Sequence, residues 1–384
     1  AIMRLRCFQA LRDTSPSGHV SEWKHLLIKM YRVIMTKNAK NSYDAAFGCL
    51  LGACVGDAAG ATLEFIGHKP SLAEVKVAMK MFGGGVWRLA PGQITDDSEL
   101  ALCLAQALSL SSTFELETIA QHYAKWVESD PFDMGMTTSE SLGCFLSSKW
   151  ESVCNQQGYA VGMSQAASQL CMSSKANGSL MRIAPLGVWG HRFDDNELAH
   201  FAEQDSSLSH PNESCRHAVA CYVIAISSLI NKPGDRKLAF ERAYNWAASH
   251  GNIFERAYNW ATSHVNEVPR WLKDAKNNVD VPYSPHVGFL KIGFTHAFRH
   301  LLLGTDYVDA IQETLEGGGD TDTNACIVGG LIGAASGAES IPDEMQQAVL
   351  NCDTLQGAHP RPDFLHSMQL PDITKRLLAQ GSES

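Results

Sequence analysis

Apolar and polar positions follow a helical period along most of this chain. From Ser98 to Leu108, apolar residues at positions 100, 101, 104, 107 and 108 have the spacing of one helix face. From Asn324 to Ser336 the residues are small and apolar on every side, as in a helix that is buried all round. The complete pattern predicts helices at residues 98–110, 115–128, 136–148, 159–172, 196–204, 212–231, 286–303, 306–316, 323–337 and 342–351. No strand-like alternation of useful length competes, so the predicted class is all-α.

Two segments need separate treatment. Residues 44–66 predict a buried helix that is broken at Gly56-Asp57-Ala58. In residues 232–285, the sequence of 240–250 recurs almost unchanged as 254–264, fourteen residues later. Two copies are too few for a solenoid, so this segment is interpreted as an insertion whose aromatic side chains form a small core of their own.

Two short acidic turns carry the candidate chemistry. Thr95-Asp96-Asp97 precedes the first helical run, and Asp320-Thr321-Asp322-Thr323 precedes the second. Four carboxylates do not share a buried site as bare anions, so a cation has to lie among them or some have to bind protons. Oxygen ligands without His or Cys favour a hard ion such as Mg²⁺ or Mn²⁺. The two turns therefore predict one divalent metal site.

Two simpler interpretations compete with a metal site. Asp and Thr are preferred helix N-caps, but capping explains one such residue in each turn rather than two carboxylates and a threonine. Asp320, Asp322 and Asn324 also imitate the first ligands of a calcium-binding EF-hand loop. That loop requires Gly at its sixth position and Glu at its twelfth, where this chain has Ala325 and Leu331.

Composition narrows the class of protein. Apolar residues make up 45% and charged residues 19% of the 384, which is typical of a globular protein with a sizeable core. A net charge of −10 argues against general nucleic-acid binding, and no apolar run is long enough for a membrane span. Eleven scattered cysteines, without a Cys-x-x-Cys pair, favour a reducing cytoplasm over a disulfide framework.

The first 43 residues differ from the rest. They hold eight Lys or Arg against two acidic residues, a net charge of +6 that leaves −16 for residues 44–384. Three interpretations stay open for this basic extension: a solvated arm that packs on the acidic body, an organelle-targeting segment, and a partner-binding arm.

Beyond the acidic turns, several longer motifs occur in a fixed order. They are residues 48–65 (GCLLGACVGDAAGATLEF), Thr95-Asp96-Asp97, residues 133–138 (DMGMTT), residues 176–183 (ANGSLMRI), Ser209-His210-Pro211 and residues 317–325 (GGGDTDTNA). In these motifs the chain resembles the ADP-ribosylglycohydrolase family, which includes dinitrogenase reductase-activating glycohydrolases and ADP-ribosyl-acceptor hydrolases. The resemblance covers about residues 43–340 and implies a compact, orthogonal all-α globule with a binuclear metal site.

The resemblance implies an activity and a metal centre. The implied reaction is hydrolysis at C1″ of the distal ribose in an ADP-ribosylated protein, with two Mg²⁺ or Mn²⁺ ions as cofactors. The implied metal ligands are Thr95, Asp96, Asp97, Asp320, Asp322 and Thr323. The spellings around Glu64 and Asp133 look more like the arginine-directed branch of the family than the serine-directed one.

The resemblance also implies roles for residues outside the metal turns. Asp133 is the expected general acid/base, with Asp97 and Glu64 as further catalytic candidates; for Asp133 a helix N-cap is the alternative. Substrate contacts are expected from Gly135, Thr137, Asn177, Gly178, Ser179, Arg182, His210, Phe289 and Gly319. Within this set, Arg182 is equally well explained as a structural bridge, and Phe289 is the candidate for stacking on adenine.

A second function remains open beside hydrolysis. Some members of the family look like immunity proteins whose added arm blocks an ADP-ribosyltransferase toxin. The basic extension of residues 1–43 motivates this alternative, and one chain can perform both roles.

Overall fold

The computed structural model describes residues 41–250 and 267–380. Almost the whole basic extension, on which the toxin-blocking alternative depends, lies outside the described residues. The second copy of the repeat lies outside them as well. Within the described ranges there is no β-sheet, only the isolated bridges between Gly84 and Leu89 and between Ala176 and Phe289. The predicted all-α class is confirmed.

Eighteen α-helices account for most of the described chain. They are α1 (residues 41–60), α2 (Leu72–Ala78), α3 (Asp96–Leu108), α4 (Leu116–Glu128), α5 (Met136–Leu142), α6 (Ser148–Gln157), α7 (Tyr159–Leu170), α8 (Gly178–Met181), α9 (Ala184–Trp189), α10 (Asp195–Ser207), α11 (Glu213–Asn231), α12 (Arg236–His250), α13 (Val268–Lys276), α14 (Lys291–Leu303), α15 (Tyr307–Gly317), α16 (Thr321–Ser336), α17 (Asp343–Leu350) and α18 (Leu370–Ala379). Short 3₁₀ turns cover Cys144–Leu146, Gly190–Arg192, Ala338–Ser340, Thr354–Gln356, Asp363–Leu365 and Ser367–Gln369. Among the described residues no helix has the length and apolar character needed to cross a membrane.

The core is built around three helices that are buried on nearly every side. They are α1, α11 and α16, whose central residues have almost no exposed surface. Helix α16 packs against α11, α14 and α15, so its first turn, which carries the second acidic motif, is held from several directions. The prediction that residues 324–336 form a helix buried all round is confirmed.

A ladder of glycines lets α1 and α16 approach closely. Gly48, Gly52, Gly56 and Gly60 repeat every four residues and therefore share one face of α1. A methyl group at these positions would collide with the backbone of Gly333, Gly329, Ala325 and Thr321, in that order. The predicted break at Gly56-Asp57-Ala58 is wrong, because Gly56 serves helix–helix contact and α1 continues to residue 60.

Three further expectations need correction. The run predicted as 286–303 begins its helix only at Lys291, since residues 286–290 form a turn in which the Phe289 amide bonds the His286 carbonyl. The run predicted as 136–148 ends at Leu142 and continues as a 3₁₀ turn. The aromatic residues of the first repeat copy belong to the main core: Phe240 packs edge-on against Phe298 of α14, and Trp246 against His217 of α11.

Gly56→Ala tests whether the close approach of the two helices is required. The added methyl meets the backbone of Ala325, which cannot move without moving α16, so we expect a loss of about 3 kcal/mol in the free energy of unfolding. Gly234→Ala is the control, because Gly234 has open space around it but a φ of +80° and should cost only about 1 kcal/mol of backbone strain. Equal losses in chemical denaturation would contradict the collision.

Candidate functional site

Asp57 of α1 organises the first acidic turn. Its carboxylate accepts hydrogen bonds from the Thr95 amide (3.1 Å), the Thr95 hydroxyl (2.8 Å) and the Ser98 amide (3.1 Å). These amides lie at the N-terminus of α3, so Asp57 caps that helix from 38 residues away. Thr95 occupies the N-cap position, but its own side chain caps none of the described amides. The capping explanation therefore applies to Asp57 and leaves the side chains of the turn available for other contacts.

The second acidic turn is fixed by its own threonines. The Thr321 hydroxyl donates to the Gly60 carbonyl at the end of α1 (2.8 Å), and the Thr323 amide donates to Asp322 Oδ1 (2.8 Å). Asp320 is the N-cap residue of α16, yet its side chain also caps no described amide. Its Oδ2 instead accepts from the Asn177 side chain at 2.7 Å. The carboxylates of this turn are thus oriented by neighbours and not used for capping.

The two turns meet in space although they are more than 200 residues apart in sequence. The Thr323 hydroxyl donates to Asp97 Oδ2 at 3.3 Å, which joins the start of α16 to the start of α3. Carboxylate oxygens of Glu64, Asp320 and Asp322 lie within 4.8 Å of one another. The second oxygen of Asp97 is buried and has no hydrogen-bond partner among the described residues. An all-oxygen donor set with such an orphaned oxygen fits a hard divalent cation.

Burial and mutual repulsion raise the pKa of nearly every carboxyl in this cluster. Burial, followed by the neighbouring Asp97 and Asp133, raises the pKa of Asp96 well above its usual value. The pKa of Asp97 is also raised well above its usual value, first by burial and then by Asp57 and Asp320. The pKa of Asp322 is raised in the same way by burial and then by Glu64 and Asp97. Burial next to Asp133 and Asp320 raises the pKa of Glu64 to about 8. Among the described residues, no Lys or Arg contributes to these pKa shifts, so the cluster favours either bound protons or an added cation.

A cavity of about 370 Å³ opens beside this cluster. Among the described residues, its lining includes five acids, Glu64, Asp96, Asp133, Asp320 and Asp322, and no Lys or Arg. Of the other predicted site residues, Gly135, Thr137, Asn177, Gly178, His210 and Thr323 also line it. The structure thus brings eleven of the predicted residues to one cavity wall.

Asp133 stands on the loop between α4 and α5. Burial and the neighbouring Asp320 raise the pKa of its carboxyl to about 6. The N-cap of α5 is Gly135, so Asp133 does not occupy that position. Its side chain lines the cavity near the acidic cluster, which is a suitable position for a general acid/base acting on a substrate in the cavity.

The remaining predicted residues lie outside the cavity lining. Thr95 and Asp97 are buried, and the Thr95 hydroxyl donates to Asp97 Oδ2 within the first turn. Ser179 is buried against Ser206, and the guanidinium of Arg182 is fully buried, paired with Asp205 at 3.2 Å. Phe289 packs edge-on against Trp271, and Gly319 lies against the Tyr283 backbone. For Arg182 these contacts match the structural bridge that sequence analysis gave as the alternative.

Arg182 nevertheless affects the cavity through His210. The guanidinium donates to the Ser209 hydroxyl oxygen at 2.8 Å, and that hydroxyl lies 2.8 Å from His210 Nδ1. Because arginine only donates, the serine proton is free to point at Nδ1, and the ring proton then resides on Nε2. His210 consequently presents an N–H donor near Gly178, on the cavity wall.

His210 makes the unfolding free energy depend on pH. Burial, and then the charge of Arg182, lower the pKa of His210 to about 3, whereas an unfolded histidine titrates near 6.5. The folded state therefore excludes a proton that the unfolded state binds, so stability is lost as the pH falls below about 6.5. Between pH 7 and pH 5 we expect the free energy of unfolding to fall by about 2 kcal/mol more in the wild type than in His210→Gln. Urea denaturation at both pH values measures this difference, and parallel curves would contradict it.

Several residues at the site were missed from the sequence. Asp57 was not among the predicted site residues, because a cap that acts across 38 residues has no local pattern. Phe65, Met136 and Val287 line the cavity with strongly exposed side chains, and Trp87 donates from Nε1 to Glu64 Oε2 at 3.2 Å. Only the left-handed backbone of Phe65, with φ of +56°, sets that residue apart, and no sequence signal indicates it.

Comparison with known proteins gives a consistent result. Residues 38–377 match the family model described as ADP-ribosylglycohydrolase. The chain is 30% identical over 81% of its length to a putative ADP-ribosyl glycohydrolase, L543, of Acanthamoeba polyphaga mimivirus, and covers 92% of that protein. It is 32% identical over 40% of its length to the ADP-ribosylarginine hydrolase Tri1 of Pseudomonas putida, and covers 38% of it. A solved structure described as an ADP-ribosylglycohydrolase-related protein complex superposes with a TM-score of 0.64 at 21% identity, over 89% of this chain and 99% of the other.

Proposed function

The chain belongs to the ADP-ribosylglycohydrolase family, whose members are hydrolases that cleave a glycosidic bond, and we propose that it removes ADP-ribose from modified arginine side chains with the help of divalent cations. The observation that carries the proposal is the cavity with five acidic residues and no Lys or Arg among the described residues of its lining. The arginine linkage is further supported by the similarity to a protein named as an ADP-ribosylarginine hydrolase.

The donor set supports two Mg²⁺ or Mn²⁺ ions. Asp96, Asp97, Asp320, Asp322, Thr95 and Thr323 would hold them, and Glu64 is close enough to share in the site. Divalent ions at these residues would supply Lewis-acid chemistry, which would help to orient a ribose diol and to lower the pKa of a water. Orientation is the main requirement, because hydrolysis of a glycosidic bond depends on placing one water and one proton-transfer group against C1″.

The protein's own residues supply the rest of the reaction. Asp133, which lines the cavity, would transfer the proton from the attacking water to the departing guanidino nitrogen, leaving ADP-ribose and unmodified arginine. The Nε2–H of His210 and the backbone at Gly178 lie next to each other on the lining, where they would suit the oxygens of ribose or phosphate. Asn177 keeps Asp320 turned toward the cavity.

A peptide with one ADP-ribosylated residue tests the proposal. We expect release of ADP-ribose from the arginine-linked peptide in Mg²⁺ or Mn²⁺, no release in EDTA, and at least tenfold slower release from the serine-linked peptide. Chromatographic measurement of free ADP-ribose gives all three rates. Absence of release from the arginine-linked peptide with either metal would refute the proposed function.

A further inference from the structure

The side chain of Arg361, near the C-terminus of the described chain, is almost completely buried. Its guanidinium pairs with Glu99, with Nε 2.8 Å from Oε1 and Nη2 3.0 Å from Oε2. The two side chains are only 5% and 1% exposed. Glu99 belongs to the first turn of α3, directly after Asp96, Asp97 and Ser98, and its amide donates to the Thr95 carbonyl. One half of the guanidinium is therefore fixed to the helix that begins with the first acidic turn.

The other half of the guanidinium holds the loop of Asp133. Nη1 donates to the carbonyls of Ser129 (3.0 Å) and Asp130 (3.1 Å), and Nη2 donates to the Ser129 hydroxyl (2.8 Å). These contacts lie where α4 ends and the loop 129–135 begins. Asp130 has a φ of +54°, a conformation that a non-glycine residue keeps only when its surroundings hold it.

All five N–H groups of Arg361 are used by these contacts. A guanidinium has five donors in a rigid plane, and here two go to Glu99 and three go to Ser129 and Asp130. Lysine has a single ammonium group and cannot reproduce this geometry. The contacts therefore specify an arginine, although Arg361 does not line the cavity.

Aromatic contacts reinforce the same connection. His359, two residues before Arg361, stacks on Phe132 with ring centres 4.6 Å apart and planes at 20°. Phe132 precedes Asp133 directly, and both rings contact Trp87, whose Nε1 donates to Glu64. The segment around residues 359–361 thus contacts the loop of Asp133 at its beginning and next to the carboxylate itself.

We propose that Arg361 is a positioning residue that fixes the loop carrying Asp133 relative to the acidic turn at the start of α3. The proposal rests on the proposed function, in which Asp133 transfers a proton beside groups held by that turn. A shift of about 1 Å in such a group costs on the order of a hundredfold in rate while substrate contacts elsewhere persist. Loss of the Arg361 contacts should therefore lower kcat and leave KM nearly unchanged.

Arg361→Lys and Arg361→Ala test this role in the full-length protein. We expect kcat for the ADP-ribosylarginine peptide to fall about tenfold in the lysine variant and about a hundredfold in the alanine variant. KM and the affinity for free ADP-ribose should stay within twofold. Guanidinium ion at low millimolar concentration should restore part of the activity of the alanine variant and none in the lysine variant. Hydrogen exchange of the amides in residues 129–135 should accelerate at least tenfold in both.

Arg236→Ala is the matched control. Its guanidinium donates to the Thr305 carbonyl (3.1 Å) and the Ser336 hydroxyl (2.7 Å), so it also joins separate elements, but it does not line the cavity. This variant should lose thermal stability with kcat and exchange in 129–135 unchanged. A fall in kcat equal to that of the Arg361 variants would overturn the proposal, and so would unchanged exchange in 129–135.

Two further outcomes are also decisive. If Arg361→Ala does not fold, Arg361→Lys still decides, because it keeps a positive charge beside Glu99 and loses only the shared geometry. If the wild-type protein releases no ADP-ribose, the proposed function fails. Hydrogen exchange in residues 129–135 then still decides whether Arg361 holds the loop.

Discussion

Asp322→Asn will strongly reduce metal-dependent hydrolysis and at the same time raise the melting temperature of the metal-free protein. The asparagine keeps the oxygen that accepts the Thr323 amide, so the start of α16 stays intact. It removes one negative charge from a group in which Glu64, Asp97 and Asp320 repel it. We expect a gain of roughly 1–2 kcal/mol in EDTA at pH 8 and a loss of kcat of roughly a thousandfold in Mg²⁺.

Thermal unfolding with and without Mg²⁺ measures the effect on stability, and release of ADP-ribose from the arginine-linked peptide measures the effect on kcat. Wild type should melt at a higher temperature in Mg²⁺ than in EDTA, because an ion that binds only the folded state stabilises it. The variant should show little of this difference. Asp372→Asn, at a side chain that is 81% exposed, should change neither curve. Destabilisation of the metal-free variant would mean that Asp322 is held by contacts within the protein rather than by a cation.

Asp133→Asn is expected to lower kcat by about a thousandfold while cation binding is retained. The side chain lines the cavity but does not belong to the three carboxylates that lie within 4.8 Å of one another. Loss of a general acid/base costs between about a hundredfold and ten thousandfold, and an amide cannot replace it. The thermal shift produced by Mg²⁺ should therefore match that of wild type.

Asp130→Asn is the control on the same loop. Its side chain is exposed and does not line the cavity, and asparagine tolerates the left-handed backbone at this position. This variant should keep wild-type kcat. If Asp133→Asn also removed the Mg²⁺-dependent thermal shift, Asp133 would be a cation ligand and its assignment as acid/base would be wrong.

The sequence predicted those parts of the fold that have a local period. Helix α3 was expected at 98–110 and is found at Asp96–Leu108, and α16 was expected at 323–337 and is found at Thr321–Ser336. The short helices at Leu72–Ala78 and Val268–Lys276 were not predicted, since seven or nine residues hold too few turns for a period to be recognised. Gly56 was misread because a glycine that breaks a helix and one that admits a neighbouring backbone look the same in sequence.

In the candidate site too, residue types could be predicted from the sequence, but contacts between distant residues could not. Asp96, Asp97, Asp320 and Asp322 were selected from the sequence because their residue types restrict the chemistry even before their positions are known. The contacts that orient them, from Asp57 to Thr95 and from Asn177 to Asp320, join residues far apart in the chain and leave no pattern. Arg361 illustrates the limit, because its five contacts depend entirely on how separate elements pack.

The central claim is that the acidic turns at the starts of α3 and α16 together hold divalent cations. Anomalous diffraction from crystals grown with Mn²⁺ tests it most directly, because manganese is located independently of the protein density. The account predicts two strong peaks between the carboxylates of Asp96, Asp97, Asp320 and Asp322, and the loss of at least one of them in Asp322→Asn. An anomalous map without a peak at these carboxylates, at a Mn²⁺ concentration that supports hydrolysis, would contradict it.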